Sequence, residues 1–269
     1  MPELPEVETV VNAINKSLKS MTIGKFIIMN SKLRWDINKN IPDVVKNKNI
    51  QNIYRRGKHI ILRLDDGYLI IHLGMTGIIK FIGQMDLKSI GKHDHYEIHL
   101  KDKTILRYND VRKFGSIHWV KNLKNHFLIK NLGPEPLSQE FDGEYLKNKC
   151  RNRNTAIKNL IMNQNIVVGV GNIYACEALF LSSIRPHRKC KYVTLKQCDE
   201  LAKSIKFVLK KSIKSGGTTL KDFKTLDGTP GYFKQKLMIY GCDICKCGTM
   251  VKNIKLSGRS SFYCSICQK

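Results

Sequence analysis

The spacing of apolar residues along the chain changes twice. Between residues 6 and 21 apolar side chains recur every three or four positions, which predicts an amphipathic helix near the chain start. From about residue 23 to residue 120 the pattern changes to short runs rich in Ile, Leu and Tyr, which are typical of β-strands. The clearest pair covers 59–64 and 68–73, joined by the turn Asp65–Gly67. Several strands at this spacing predict a β-sandwich or barrel.

A stretch rich in glycine and proline, Gly133–Pro136, breaks both periodicities and predicts a domain boundary. Beyond it helical spacing returns, with Asn172 expected as the N-cap of one helix. The longest helix is marked at its start by the capping-box pair Thr194 and Gln197, and at its end by Gly216–Gly217. The predicted helices cover residues 141–150, 155–162, 172–183 and about 195–213. The predicted fold class is therefore α+β.

The chain carries a large excess of positive charge. Its 269 residues include 47 Lys and Arg against 22 Asp and Glu, a net charge of +25, and its 42% apolar residues are enough for hydrophobic cores. This excess indicates an acidic partner, but a composition rich in Lys, Asn and Ile also follows from adenine- and thymine-rich codons, and both explanations stay open. We see neither a membrane span nor a signal peptide, and therefore expect a cytoplasmic protein with no membrane partner.

Five of the nine cysteines lie close to the C-terminus. In a chain without an export signal, such clustering favours a metal site over disulfides. The pairs Cys242/Cys245 and Cys264/Cys267 have the spacing of a four-thiolate zinc ribbon, so we predict one structural Zn²⁺ on these four residues. Cys247 is an alternative ligand in the first pair, in place of Cys242 or Cys245.

A glycine-containing turn between two predicted helices, Gly169–Asn172, would expose backbone N–H groups that can hold a phosphate. Basic residues flank the turn, among them Arg153 and Lys158 before it and Arg185 after it. Helix, turn, helix, basic residues and a zinc ribbon together predict that the C-terminal half binds nucleic acid.

The chain start can support covalent catalysis. Removal of Met1, which is expected before a small residue, would leave Pro2 as a secondary amine that is partly neutral at physiological pH. Such an amine attacks an electrophilic carbon to form an iminium ion, and Glu3 beside it could supply a proton. Proline and glutamate at a helix start also act simply as caps, so this pair alone does not decide the function.

Motifs along the whole chain resemble those of the bacterial formamidopyrimidine-DNA glycosylases, which repair oxidised purines. The resemblance begins at Met1–Thr9 and continues in the family's order to the cysteine-rich tail. The other matching motifs are Arg56–Lys58, His72–Met75, Lys92–His95, Lys113–Gly115, Leu132–Leu137, Gly169–Ala175 and Gly216–Leu220.

This resemblance implies a two-domain DNA clamp that is built from three parts. They are an N-terminal β-sandwich domain with a leading helix (residues 1–132), a helix-two-turn-helix DNA-binding domain (133–232) and a zinc finger (233–269). The implied activity is that of a bifunctional DNA glycosylase and AP lyase of base excision repair. It would excise 8-oxoguanine and formamidopyrimidines from damaged double-stranded DNA, and we expect it to act as a monomer.

The resemblance also implies catalytic roles for four residues. Pro2 would attack C1′ of the damaged nucleotide, and Glu3 would assist sugar-ring opening and base departure. Lys58 would be the general acid linked to β-elimination. Arg259, on the loop of the zinc hairpin, would assist δ-elimination and hold phosphate.

A second group of residues is implied to contact DNA. A flipped base leaves a hole in the duplex that must be filled. Phe114 would wedge into the stack, Met75 would occupy part of the void, and Arg112 would hydrogen-bond to the orphaned cytosine. The expected backbone contacts are His93, Arg112, Arg153 and Asn172.

The resemblance is incomplete at several positions, and other functions stay open. This chain has Val111, Lys113 and Asn154 where the family commonly has Pro, Arg and Lys. One alternative is an oxidised-pyrimidine glycosylase of the endonuclease VIII type, although Leu4 and the Gly216–Leu220 loop resemble the purine-specific branch more closely. Another is a zinc-ribbon DNA-binding protein without catalysis, which leaves the Pro2–Glu3 start unexplained.

Overall fold

The computed structural model of the protein describes residues 2–82, 90–217 and 237–269. These residues form two compact units, one of 2–82, 90–130 and 216–217 and the other of 131–215 and 237–269. The three-domain division at 132/133 and 232/233 stays a prediction, and its second boundary lies outside the described residues. Within the described ranges, no helix combines the length and apolar character needed to cross a bilayer.

The first unit is a β-sandwich with a leading helix. Its eight strands form two antiparallel sheets, in the orders β1-β6-β7-β5 and β2-β3-β4-β8. This confirms the α+β class and the sandwich rather than the barrel. The strands are β1 Ile23–Ile28, β2 Asn52–Arg56, β3 His59–Arg63, β4 Tyr68–His72, β5 Ile78–Phe81, β6 Asp94–Leu100, β7 Ile105–Asn109 and β8 Ser116–Val120.

Helix α1 (Leu4–Leu18) packs its apolar stripe into the core of the first unit. Val7, Val11 and Ile14 are almost fully buried there among strand residues, because an i, i+3, i+4 pattern places them on one helix face. A short helix α2 (Ile41–Val45) follows β1. Helix α1 starts two residues earlier than predicted, because Pro5 is accommodated within its first turn.

The second unit is helical, with a C-terminal hairpin. Gly171 rather than Asn172 is the N-cap of the third of its helices, so that prediction is wrong by one residue. The Thr194–Gln197 capping box is confirmed, and Gly216 and Gly217 follow the long helix with positive φ values of 73° and 84°. The elements are α3 Gly143–Cys150, α4 Ile157–Ile161, α5 Asn172–Leu181, α6 Leu195–Lys214, β9 Lys252–Leu256 and β10 Arg259–Tyr263.

The cysteine-rich segment docks on α5. The buried Glu177 carboxylate accepts hydrogen bonds from three consecutive backbone N–H groups, of Met238, Ile239 and Tyr240, at 2.8, 3.0 and 2.9 Å. Arg185 adds bonds to two carbonyl groups near the C-terminus, those of Ser265 and Gln268. The cysteine-rich segment is thus joined to the helices by polar contacts as well as by a small apolar cluster.

Candidate active site and DNA-contacting residues

Residues Pro2 and Glu3 lie in a buried position at the start of α1. Glu3 is the N-cap, and it forms a capping box in which its backbone N–H donates to Glu6 Oε2 at 2.8 Å. The reciprocal bond runs from the Glu6 backbone N–H to the Glu3 side chain. The capping box holds the Glu3 carboxyl in one place beside Pro2.

Lys58 follows Gly57 in the turn between β2 and β3, and it is 8% exposed. Gly57 has a φ of +58°, a conformation in which glycine carries no steric penalty. Arg55 joins this turn to α1, since it donates to Glu8 Oε2 at 2.5 Å and to the Gly57 carbonyl oxygen at 3.1 Å. The chain start and the Lys58 turn are therefore cross-linked by one buried guanidinium.

Two histidines lie beside this turn. The rings of His59 and His72 are 5.0 Å apart. Burial lowers the pKa of His59 to about 4 and that of His72 to about 3, and the Lys58 charge contributes to both shifts. Both imidazoles are therefore neutral at pH 7, and His72 Nδ1 accepts a hydrogen bond from the Gly74 N–H at 3.1 Å.

The three predicted void-filling residues come together on two touching turns. Met75 lies on the turn between β4 and β5, and Arg112 and Phe114 lie on the turn between β7 and β8. The Arg112 guanidinium stands 4.9 Å from the centre of the Phe114 ring, which is 43% exposed. An exposed aromatic ring under an arginine is a surface suited to contact with a base stack.

His93 belongs to the same region. Its carbonyl oxygen accepts a hydrogen bond from the Asp110 N–H at 3.0 Å, which joins it to the start of the Arg112 turn. Its Nδ1 atom is buried, and in the described part of the chain it has no hydrogen-bond partner. Four of the six predicted DNA-contacting residues are thus gathered in the first unit.

Asn172 lies in the second unit, where its side chain bridges the helices and the hairpin. Its Oδ1 accepts from Lys158 Nζ at 2.6 Å, and its Nδ2 donates to the Ser260 carbonyl oxygen at 3.1 Å. Lys158 is 1% exposed and also donates to Ser261 Oγ at 2.7 Å. These bonds place Asn172 beside the strand that begins with the exposed Arg259.

Arg153 is exposed on the loop after α3. Its backbone N–H donates to the Cys150 carbonyl oxygen at 3.2 Å, and its own carbonyl accepts from Lys191 at 3.1 Å. The loop is therefore held by its main chain while the guanidinium stays exposed.

Four cysteine thiols converge at the base of the hairpin, but the set differs from the prediction by one residue. Cys245, Cys247, Cys264 and Cys267 have Sγ atoms that all lie within 4.8 Å of one another. Cys242 is outside this group, and its Sγ lies 3.8 Å from the Leu237 carbonyl oxygen. The prediction of Cys242 as a ligand is therefore corrected to Cys247.

A tight turn explains this correction. The Gly248 N–H donates to the Cys245 carbonyl oxygen and the Cys245 N–H donates to the Thr249 carbonyl oxygen, both at 2.9 Å. Gly248 has a φ of +82°, which allows the chain to reverse immediately after Cys247. The turn brings Cys247 back to the second pair, whereas Cys242 lies before it.

The donor set of this group suits a metal ion. The Sγ atoms of Cys245 and Cys267 are 3.8 Å apart, and those of Cys247 and Cys264 are 3.5 Å apart. Hydrogen bonds with Thr249 lower the pKa of the Cys247 thiol to about 6, whereas hydrogen bonds with Cys247 and Cys264 raise the pKa of the Cys267 thiol to about 12. Four thiolates at these separations fit a tetrahedral ion that prefers sulfur.

Sequence reasoning missed several residues that hold these sites together. Asp110 has no predicted role, and Lys158 is predicted only as a basic residue beside the Gly169–Asn172 turn, yet both are buried and hydrogen-bonded to elements distant in sequence. Neither residue belongs to a periodic pattern that would indicate hydrogen bonds to several elements. Gly217 lies against Glu6, while residues 218–220 of the predicted Gly216–Leu220 motif are outside the described residues.

Comparison with known proteins gives two family matches. Residues 1–117 match the formamidopyrimidine-DNA glycosylase N-terminal domain, and residues 132–224 match the formamidopyrimidine-DNA glycosylase H2TH domain. Among curated proteins, the formamidopyrimidine-DNA glycosylases of Histophilus somni strain 129Pt and Salmonella arizonae are 45% and 46% identical to this chain, with full coverage of both partners in each case.

Solved structures of Fpg and MutM proteins are also similar to this chain. A mutant of the Lactococcus lactis protein in complex with Fapy-dG-containing DNA has a TM-score of 0.91 and 32% identity, with full coverage of both chains. The Lactococcus lactis Fpg in complex with abasic-site DNA has a TM-score of 0.90 and 33% identity over 99% of each chain. MutM in complex with DNA containing carbocyclic 8-oxo-G has a TM-score of 0.90 and 33% identity over 100% of each chain.

Proposed function

Because the chain belongs to the formamidopyrimidine-DNA glycosylase family of base excision repair, we propose that it excises oxidised purines from duplex DNA and then cleaves the strand as an AP lyase. The observation that carries this proposal is the cross-link between the Pro2–Glu3 start of α1 and the Lys58 turn through Glu8, Arg55 and Gly57. It keeps a terminal amine, a carboxyl group and an ammonium group on one rigid scaffold.

The proposed first step is nucleophilic substitution at the sugar. The Pro2 nitrogen bonds to C1′ while the C1′–base bond breaks, the base leaves with the electron pair, and the proton lost from the nitrogen neutralises the departing base. Glu3 assists by donating a proton during sugar-ring opening, and the product is a C1′ iminium ion. The neutral His59 and His72 beside Lys58 add no positive charge to the site at pH 7.

Strand cleavage follows from the same intermediate. Loss of a C2′ proton breaks the C3′–O bond, with Lys58 as the general acid for the departing phosphate oxygen. A second elimination breaks the C5′–O bond, assisted by Arg259. The iminium ion acts as the electron sink for the first elimination, so base removal and strand cleavage share one covalent intermediate.

Duplex binding is assigned to the remaining predicted residues. Met75, Arg112 and Phe114 fill the space left by the flipped nucleotide, while His93, Arg153 and Asn172 contact the backbone. The damaged DNA bound to the solved relatives supports this assignment of substrate.

We assign Zn²⁺ to the cluster of Cys245, Cys247, Cys264 and Cys267. When bound, the ion supplies folding energy to a segment too small to form a large core. It takes no part in the chemical steps. The residues of the hairpin, held by the bond from Lys158 to Ser261, position Arg259.

Borohydride trapping tests this function. The reagent reduces the iminium ion to a stable amine, so the zinc-loaded protein without Met1 should form a covalent complex with duplex DNA that carries 8-oxoguanine opposite cytosine. Pro2→Gly should reduce the yield of the complex strongly, because it replaces the secondary amine with a primary amine that is largely protonated at pH 7. Pro42→Gly, at a helix start that carries no predicted chemistry, is the matched control and should trap like wild type.

The choice of base is tested in the same assay. Excision of 8-oxoguanine should be faster than excision of thymine glycol. Faster release of thymine glycol would instead assign the chain to the endonuclease VIII type. Trapping by Pro2→Gly at the wild-type yield and rate would refute the proline mechanism, and the absence of any complex with wild-type protein would refute covalent catalysis.

A further inference from the structure

The carboxylate of Asp110 is a fully buried acceptor at the end of β7. Its Oδ1 accepts from the Thr76 hydroxyl at 2.5 Å and from the Arg112 N–H at 3.2 Å. Its Oδ2 accepts from the Gly115 N–H at 2.8 Å and lies 3.2 Å from the Tyr108 hydroxyl. One carboxylate therefore binds both turns that carry the predicted void-filling residues.

The two turns are in close contact around this carboxylate. Gly74 has a φ of +68°, and a Cβ atom placed there would lie 2.4 Å from the Gly115 nitrogen and 2.8 Å from the Phe114 carbonyl oxygen. A Cβ atom on Gly115 would lie 1.7 Å from the Tyr108 hydroxyl. Only glycine fits at these positions, so the separation of the turns is set by backbone contact.

Asp110 is also held through its main chain. Its N–H donates to the His93 carbonyl oxygen at 3.0 Å, and its carbonyl oxygen accepts from Nε2 of the buried His95 at 2.9 Å. Burial, with contributions from Tyr96 and Asp110, raises the pKa of Tyr108 well above its ordinary value, so that its hydroxyl stays protonated. Asp110 is therefore held through its backbone N–H and carbonyl groups as well as through its carboxylate.

We propose that Asp110 is a positioning residue for duplex interrogation. With Thr76 as its bridge, it fixes Met75, Arg112 and Phe114 as one preformed unit. This inference rests on the proposed function, because those residues act only where a base has left a duplex. A preformed unit loses no conformational entropy on insertion, whereas separate mobile turns would.

The test compares duplex DNA, where a void must be filled, with single-stranded DNA, where there is none. The substrates are a duplex with 8-oxoguanine opposite cytosine and a single-stranded oligonucleotide with one abasic site. The variants are Asp110→Asn, which leaves an amide N–H₂ facing donors, and Thr76→Val, which removes the bridging hydroxyl. Each should slow single-turnover excision from the duplex at least about tenfold, because a buried bond to a charged group is lost.

Borohydride trapping on the single-stranded abasic DNA should change less than about twofold in both variants, because no void forms there. Thr76→Ser keeps the hydroxyl and should restore duplex excision. Asp102→Asn is the matched aspartate control, since among the described residues this exposed carboxylate bonds with Thr104 alone. A 2-aminopurine base next to the lesion reports wedge insertion directly and should respond more slowly with Asp110→Asn and Thr76→Val.

Equal losses on both substrates would assign Asp110 a general structural role and overturn the proposal. Wild-type kinetics of Thr76→Val on the duplex would overturn it as well. Failure of the proposed function looks different, since wild-type protein would then trap neither DNA. In that case the 2-aminopurine response to a duplex with a tetrahydrofuran abasic analogue still compares the variants with wild type. If Asp110→Asn and Thr76→Val respond as fast as wild type, the role of Asp110 is refuted.

Discussion

At the scale of single residues, the identity of a metal ligand depends on one turn. Three cysteines, at positions 242, 245 and 247, are candidates for the two ligands of the first pair. The preference for Cys242 rested on the two-residue gap common in zinc ribbons. The reversal of the chain at Gly248 places Cys247 in the cluster and leaves Cys242 outside it.

A matched pair of serine variants tests this ligand set. Cys242→Ser should retain about one equivalent of zinc, whereas Cys247→Ser should lose most of it, because a ribbon with three thiolates binds the ion more weakly. Metal content after dialysis, measured by atomic absorption, is the readout, together with the thermal midpoint of unfolding. Zinc loss from Cys242→Ser with retention in Cys247→Ser would restore the original prediction.

At the scale of elements, the best-predicted features are those that depend on neighbouring residues. The Thr194–Gln197 capping box of α6 is predicted correctly because it depends only on residues three positions apart. Asn172 was misplaced as an N-cap because its amide bonds instead with Lys158 and Ser260, which are distant in sequence. Hydrogen bonds with residues distant in sequence therefore determine the role of this side chain, although its local preference for an N-cap position is clear.

The link between α5 and the cysteine-rich segment is a second feature of this scale. The Glu177 carboxylate is the common acceptor of three consecutive amides. Glu177→Gln should weaken this link by about 1–3 kcal/mol, since the amide N–H₂ cannot accept and would face a donor. Hydrogen exchange at the amides of Met238, Ile239 and Tyr240 should accelerate accordingly.

Glu200→Gln is the control for this prediction. Glu200 is exposed on α6 and makes one long contact, 3.5 Å, with Lys203, so its loss should leave those amides unchanged. Unchanged protection in Glu177→Gln would mean that apolar packing around Cys176 and Phe180 holds the segment by itself.

At the scale of the whole molecule, the charge of +25 has two explanations, codon composition and DNA binding. Phosphate contacts have a distinct signature, because each neutralised phosphate releases counterions and steepens the salt dependence of binding. Charges that never contact DNA contribute little to that slope. Salt titration therefore separates the two explanations.

We expect affinity for a damaged duplex to fall steeply between low and moderate salt. Arg153→Gln should reduce the slope of log K against log salt by about 1, as one phosphate contact is lost. Lys103→Gln removes an exposed charge on the turn between β6 and β7, at the opposite end of β7 from the Arg112 turn, and should leave the slope unchanged. Fluorescence anisotropy over a salt series measures the slope for wild type, Arg153→Gln and Lys103→Gln. Equal slopes in these three proteins would contradict the role of Arg153.

The sequence by itself determined the features that are local or carried by motifs. Helix periodicity, capping, turn glycines and the order of motifs led to the α+β class and to the family. These signals are readable because each depends on residues within about four positions of one another or on residue identity alone. The catalytic assignments of Pro2, Glu3, Lys58 and Arg259 stay predictions on that basis.

Only the tertiary structure decided which distant residues meet. Asp110 joins Thr76, 34 positions earlier, and Lys158 joins Ser261, 103 positions later. Such pairs form because a buried charge must find partners wherever the fold brings them, and no local rule encodes that choice. The replacement of Cys242 by Cys247 has the same origin, since ligand geometry is set where the chain folds back on itself.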